Sequence, residues 1–385
     1  MSTTWEPVPL GEVVRQVTRT ETTNPTKTYR LLGVRLDGGG PFLREEKTGA
    51  QVSAKQLSRV AEGDFIYSRL FAWRGAFGVI DSSLDGCYVS NEFPTFQLDP
   101  ERLDRKFLRY WFRLPPTLAQ VEEDCSGSTP LTRNRYKESF FLRLAIPLPP
   151  MEEQRRIVAR VEELAAKVEE ARGLQRSIAA EYDVLLRGTF ARLVQDAHHR
   201  PMGEIAPLVR RPVEVTPSQF YHEVGIRSFG RGTFHKPAVS GASLGTKKLF
   251  EIQPGDLLFN IVFAWEGAVA IARTEDEGRV GSHRFLTCVP KVGVVTARFL
   301  KFYFLTKHGL KQLGDASPGG AGRNRTLGLK ALERIEVPVP PIEKQLRFDA
   351  LQMHVDRFLE MQAASAAELD ALLPSILDKA FRGEL

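Results

Sequence analysis

The chain is poor in the features that mark a metalloprotein, a disulfide scaffold or a membrane protein. Its 385 residues include three cysteines, Cys87, Cys125 and Cys288. An odd, scattered set of this kind points to neither a disulfide framework nor a zinc site. Seven histidines are present, but none is paired at ligand spacing; His198 and His199 are adjacent in a linker, and adjacent side chains on a helix diverge. Long apolar runs are also missing. The most apolar stretch, DLLFNIVFAWEGAVAIA, carries Asp256, Asn260 and Glu266 and is too short and too polar to cross a bilayer. The start MSTTWEPVPL lacks the basic segment and apolar run of a secretory signal, so a reduced, cytoplasmic protein without membrane contact is expected. Nucleotide and metal-protease signatures are absent: no Walker loop, no G-x-G-x-x-G behind a strand, no H-E-x-x-H. The sequences nearest to a nuclease Glu-x-Lys, EEK at 45–47 and EVGIR at 223–227, are poor matches.

What the chain does have is a repeat. LFAWRGAF at 70–77 returns as VFAWEGAV at 262–269, which places Trp73 and Trp265 192 residues apart, almost half the chain. The register holds through several further blocks: PLGEVV and PMGEIA, YRLLGVR and YHEVGIR, EGDFIYS and PGDLLFN, RKFLRYWF and ARFLKFYF, TRNRY and GRNRT, IPLPPMEEQRR and VPVPPIEKQLR. A near-constant offset over this many blocks is a duplication. The net charge of +6, from 53 Lys and Arg against 47 Asp and Glu, adds a mild preference for a polyanionic partner.

Within each half the residues predict a globular unit followed by a long helix. The Phe-, Ile-, Val- and Trp-rich stretches behind Gly63-Asp64 and Gly255-Asp256 suit strands, with a turn at Gly75 and Gly267. Residues 100–114 and 296–313 carry apolar side chains at helical spacing, with Thr296 as a cap. Pro149-Pro150 and Pro340-Pro341 then stop the preceding strand and start a helix, with Glu152, Glu153 and Glu343 in the first turn. Heptad seams follow. The first runs through Ile157, Val161, Leu164, Val168, Ala171, Gln175, Ile178, Tyr182 and Leu185. The second runs through Phe348, Leu351, Val355, Phe358, Gln362, Ser365, Leu369, Leu372 and Ile376. A lone rod with so narrow a seam is marginal in water, so the two rods pair with each other or with partner proteins.

A globular unit and a Pro-Pro-x-Glu-x-Gln helix start (Pro149, Pro150, Glu152, Gln154; then Pro340, Pro341, Glu343, Gln345), repeated at half-chain spacing, resemble the specificity subunit of type I restriction–modification enzymes. GDLLFNIVFAWEGAVAIA also resembles the core of that family's target-recognition domains. The resemblance covers essentially the full length. It implies an α+β fold with two tandem mixed α/β target-recognition domains, residues 1–147 and 200–338. Helical spacers at 148–199 and 339–385 would pair as an antiparallel coiled coil with pseudo-twofold symmetry. It further implies a non-catalytic DNA reader: each domain takes one half of an asymmetric bipartite site in double-stranded DNA. The rods would set the gap and dock two methyltransferase subunits, which motor-nuclease subunits can join. No cofactor is expected in this chain; S-adenosylmethionine would belong to the methyltransferase, ATP and Mg to the restriction partner. Consistently, no Asn-Pro-Pro-aromatic or Asp-Pro-Pro-aromatic tetrapeptide is present. The competing readings are a recognition scaffold of another modification or defence system, a coiled-coil assembly protein without DNA, and an unrecognised DNA-cleaving enzyme.

Phosphates are held by Lys, Arg and small polar groups, and bases are read by Arg, Asn, Gln and Lys. The candidate DNA contacts are therefore Arg35, Arg69, Arg74, Arg133, Asn134, Arg135 and Lys137 in the first half. In the second they are Arg227, Arg231, Lys236, Asn260, His283, Arg284, Arg323, Asn324 and Arg325. Trp73 and Trp265 fit core packing better than insertion into a groove. Glu152, Gln154, Arg155, Arg156, Glu343 and Gln345, at the helix starts, are the candidate partner contacts.

Overall fold

The computed structural model describes residues 5–125, 135–319 and 325–384. The chain forms two compact units: residues 1–176 with 362–385, and residues 177–361. The division falls inside both long helices, Met151–Val194 and Ile342–Phe381, so each unit owns a piece of each.

In the first unit a four-stranded antiparallel sheet has the spatial order Val14–Val17, Thr95–Leu98, Phe65–Tyr67, Phe77–Val79. The second unit repeats the order with Leu208–Val209, Phe285–Cys288, Leu257–Asn260 and Val269–Ile271. A second layer in the first unit is a five-stranded sheet whose one parallel step pairs Leu31 with Tyr88. The other unit keeps that step as a parallel bridge between Glu223 and Val280. A short antiparallel pair brings the start of each domain beside its end, Pro7–Pro9 on Ala145–Pro147 and His198–Pro201 on Glu336–Val339.

The aspartates of Gly63-Asp64 and Gly255-Asp256 do not face solvent. Asp64 and Asp256 are buried, and each takes a two-pronged ion pair, from Arg19 at 2.5 and 3.1 Å and from Arg211 at 2.7 and 3.1 Å. Each also accepts a backbone N–H three residues upstream, from Ala61 and Gln253. A buried carboxylate left unpaired is costly, and the same answer is used twice.

The first core is aromatic: Phe65, Tyr67, Phe77, Phe96, Phe112 and Phe141 stack at centroid distances of 4.0–6.1 Å. Ile157, Val158 and Val161 from the start of the central helix close it, together with Leu377 and Ala380 from the end of the C-terminal helix. Phe381 meets Phe107 at 4.7 Å. In the second unit the roles exchange. Phe190, near the end of the central helix, lies 5.3 Å from Phe299 and 5.5 Å from Phe348, near the start of the C-terminal helix. Tyr182 packs on Phe358 at 5.1 Å, and Arg172 reaches Asp370 at 2.5 Å in the first unit. The helices therefore pair with each other, start against end.

The expected heptad register holds for most of each seam, Leu369 and Ile376 included, and fails at Leu185, Ser365 and Leu372. Ile157, Val161, Val168, Phe348 and Val355 are buried. Leu185, Ser365 and Leu372 are exposed, and Leu186, Ala366 and Leu373, each one residue later, are partly buried in their place. A helix of 3.6 residues per turn drifts about 20° per heptad from a strict 3.5 repeat, which moves the inward face toward the following residue at these three positions.

Candidate nucleic-acid interface

The octet that recurs folds identically in both units. A 3₁₀ turn, Ala72–Arg74 or Ala264–Glu266, ends at a glycine in the left-handed region, Gly75 at φ 72° and Gly267 at φ 76°. A side chain at Gly75 would also crowd the Gly38 nitrogen at 3.2 Å. The tryptophan preceding the glycine by two is half-buried, and its indole N–H is satisfied within the turn, Trp73 by the Leu70 carbonyl at 3.1 Å and Trp265 by the Val262 carbonyl at 3.0 Å. Their job is to build the turn, as the apolar neighbours predicted.

A hairpin tip docks on each octet. Asp37 and Gly38 donate backbone N–H groups to the Arg74 and Gly75 carbonyls; Phe229 and Gly230 do the same to Glu266 and Gly267. Asp37 (φ 54°) and Phe229 (φ 60°) are the two non-glycine residues with positive φ among the described residues. Strain of this sort collects where a loop is held for a purpose. Arg35 lies over the Phe42 ring at 4.4 Å, and its equivalent Arg227 over Phe234 at 4.9 Å. Arg231 lies 5.6 Å over Phe229, which is 69% exposed.

Beside each tip a second junction forms at Arg69 and its equivalent Ile261. Their N–H groups meet the Glu92 and Arg284 carbonyls, and their carbonyls accept from Tyr136 and Leu327. The same frame carries opposite electrostatics. In the first unit the arginines are neutralised: Arg69 pairs with Glu138 and also reaches the Asn91 carbonyl, and Arg135 holds Glu92 at 2.7 Å. Burial is the largest single influence and pushes the Glu138 carboxyl up, but the bond and charge of Arg69, with a backbone hydrogen bond and one from Gln16, together leave the group below the ordinary carboxylate range. In the second unit Ile261, Arg284 and Leu329 stand where the first has Arg69, Glu92 and Glu138. Among the described residues His283, Arg284 and Arg325 form no ion pair; Arg325 lies 5.5 Å over the Trp265 ring.

The other candidates divide in the same way. Arg35, Arg74 and Lys137 are exposed and without ion pairs among the described residues, as are Arg227 and Arg231. Arg227 also donates to the Thr233 carbonyl at 2.9 Å. Lys236 is bound to the buried Glu223 at 3.4 Å, which Lys247 also holds. The Asn260 side-chain carbonyl accepts the Val262 N–H at 3.1 Å and shapes the octet turn. Arg133, Asn134, Arg323 and Asn324 lie outside the described residues.

Two of the partner candidates are corrected. Gln154 and Gln345 are fully buried and spend their amides on the backbone of their own unit, so neither reaches a partner. A polar residue in a first helical turn reads as solvent-facing from sequence, because the domain that covers it is distant along the chain. Glu152, Arg155 and Glu343 are exposed, and Arg156 pairs with Glu153 at 2.8 Å.

One residue missed by sequence reasoning is Arg113. It sits under the Gly38 tip, and burial, aided by the nearby Arg109, works against its charge. The i, i+4 series Arg105, Arg109, Arg113 was the available signal; the second unit has Leu305 in that place, under Gly230. Among the described residues no helix is long and apolar enough to cross a membrane, and no His, Cys, Asp or Glu group could hold a metal.

Residues 2–179 match the family described as type I restriction modification DNA specificity domain. Among solved structures, an HsdS subunit from Thermoanaerobacter tengcongensis is similar over 100% of this chain and 98% of its own, at 22% identity and a TM-score of 0.63. A chain solved in work on complex assembly and conformational transition of the type I R-M system is similar over 100% and 99%, at 23% identity and a TM-score of 0.73. At these identities the likeness is one of fold. Among curated protein sequences nothing matches.

Proposed function

We infer that this chain, whose residues 2–179 match the type I restriction modification DNA specificity domain family, is the specificity subunit of a restriction–modification system. The second unit repeats the strand order of the first. One observation supports this reading best: a duplicated frame holds different side chains at equivalent places. Arg74 corresponds to Glu266, Asp37 to Phe229, Arg69 to Ile261, Glu92 to Arg284 and Arg113 to Leu305. Two readers built alike but surfaced differently suit two unlike half-sites.

In this reading the hairpin tips and the junctions beside them approach DNA. The second unit brings uncompensated cations, Arg227, Arg231, Arg284 and Arg325, whose attraction to phosphate is immediate. The first unit brings Arg35, Arg74 and Lys137, while Arg69 and Arg135 would have to leave their carboxylates first. Reading bases through side chains needs no bond to be made or broken, and the chain acts as a recognition subunit rather than a catalyst. The methyl donor belongs to a methyltransferase partner, with ATP and Mg belonging to any restriction partner, and the work is done in the cytoplasm, where the DNA is. Two methyltransferase subunits dock on the exposed helix faces that carry Glu152, Arg155 and Glu343.

Co-expression with the methyltransferase encoded beside this chain tests the reading. Sedimentation should give one chain to two methyltransferases, and methylation mapping should give an asymmetric bipartite motif. A chain that binds DNA at full strength without the methyltransferase, or a motif with no gap, defeats it.

A further inference from the structure

The helix-start glutamines carry an inference beyond the recognition role, although it rests on that role. Gln154 has no exposed surface. Its Nε2 donates to the Pro149 carbonyl at 2.8 Å and to the Arg102 carbonyl at 2.8 Å, and its Oε1 accepts the Asp104 N–H at 2.8 Å. Gln345 is equally buried and repeats all three bonds, to Pro340 at 2.8 Å, to Val294 at 3.0 Å and from Thr296 at 3.1 Å. Asp104 and Thr296 are the N-caps of helices Arg105–Trp111 and Ala297–Leu305. An N-cap's own N–H lies outside the helical ladder, and here the glutamine claims it.

One amide thus joins three pieces in each unit: the proline stop, the start of the long helix and the start of a domain helix. The side chain under the hairpin tip is Arg113, two residues beyond the end of the first of these helices, or Leu305, the last residue of the second. The order of rigid parts is long helix, glutamine, domain helix, DNA-facing tip. We propose that Gln154 and Gln345 are positioning residues that fix the angle of each recognition domain on its rod, and so fix the length of the gap that the protein accepts between half-sites.

The scale supports the assignment. A domain helix of seven residues is about 10 Å long. A swing of about 20° at its base moves the tip by roughly 3.5 Å, which is close to the rise of one base pair, while adding one pair also turns the next half-site by about 34°. Selecting a single gap therefore requires a joint stiffer than that. Two bonds from a planar amide to two carbonyls, with a third returning from the cap, hold such a joint in more than one direction. A hydrophobic contact of equal size resists separation but slides.

The test uses the full chain with its methyltransferase. Methylation mapping of the wild type gives the motif, and a plasmid library then varies its gap by one, two and three base pairs. Q154M and Q345M keep the side chain's length and lose the three bonds. Wild type should methylate one gap. Each variant should also methylate gaps one pair longer or shorter, with its preference reduced about ten-fold, while the bases of both half-sites stay the same. A core variant, Phe96→Leu, chosen to give an equal drop in Tm, should keep the wild-type gap. Unchanged gap preference in both glutamine variants, or equal broadening in the core variant, overturns the proposal. So does failure of both glutamine variants to fold, which would make the residues a folding requirement. If the wild type leaves no bipartite motif, the recognition role itself falls and takes this inference with it; a wild type with one gap and variants with the same gap sinks the positioning role alone.

Discussion

Arg284 and Arg69 show how much a single side chain's neighbours decide. Arg284 is exposed and forms no ion pair among the described residues, so its charge is available to phosphate. Arg284→Ala should weaken binding to all sequences and lower the slope of log K against log salt by about 0.9 for one lost phosphate contact. If it instead grips a guanine, the loss should be about 1–3 kcal/mol and confined to one base position; a titration over salt and over single-base variants separates the two. Arg69→Ala should act differently, lowering Tm with little change in salt slope, because it strands Glu138. The pH dependence has a definite sign. Glu138 is depressed in the folded state by Arg69 despite burial, so the pair adds stability above the ordinary carboxylate range and loses it as pH falls through the depressed value. Urea midpoints of Glu138→Gln should fall less steeply than wild type below about pH 5; parallel curves would mean that the pair does not contribute. None of these pairings was legible in the sequence. Arg69 and Glu138 are 69 residues apart, and no local pattern tells a paired arginine from a free one. The octet turn was legible because its causes are local: the apolar run, the indole and the left-handed glycine all lie within eight residues.

At the scale of elements, the long helices were readable as helices and only partly as seams. Proline stops, acidic first turns and apolar spacing mark their starts from within the sequence. Which side chain faces inward depends on how far a real helix has turned, and a strict heptad count misplaces Leu185, Ser365 and Leu372 by one residue while keeping Leu369 and Ile376. Substitution at two kinds of position checks the corrected register. Val355 is 3% exposed, and Val355→Asp should cost at least about 2 kcal/mol from lost apolar burial alone, visible as a lower Tm or failed assembly. Leu372, on the strict heptad but 43% exposed, should tolerate Leu372→Asp within about 0.5 kcal/mol. Equal effects at the two sites would show that the heptad count was right after all. The misreading of Gln154 and Gln345 has a related origin. The first turn of each helix was read alone, whereas the backbone that buries those amides belongs to residues 102–104 and 294–296.

For the whole molecule, the duplication was the most legible feature, since an offset kept over many blocks needs no structure to be seen. The sharing of both rods between both units was not, because the sequence places each helix directly behind the domain it follows. Truncation exposes the difference. Removing everything after residue 199 takes away Leu377, Ala380 and Phe381, which cover Phe107 and the start of the central helix. The fragment 1–199 should recruit the matching end of a second copy and sediment as a homodimer, whose complex would methylate an inverted repeat of one half-site. A soluble fragment that stays monomeric at high concentration, or an asymmetric motif, would refute this.

The interleaving also bears on how the protein is made. The first unit closes only with residues 362–385, which leave the ribosome after the whole of the second unit. At synthesis rates of about 5–20 residues per second, residues 177–361 keep it waiting for roughly 10–40 s. During that interval Ile157, Val161 and Phe107 have no Leu377, Ala380 or Phe381 to cover them, and the nascent chain carries an open apolar stripe. The second unit, contiguous in sequence, needs no such delay. The half that is translated first is therefore completed last, and the hazard of premature association falls on it.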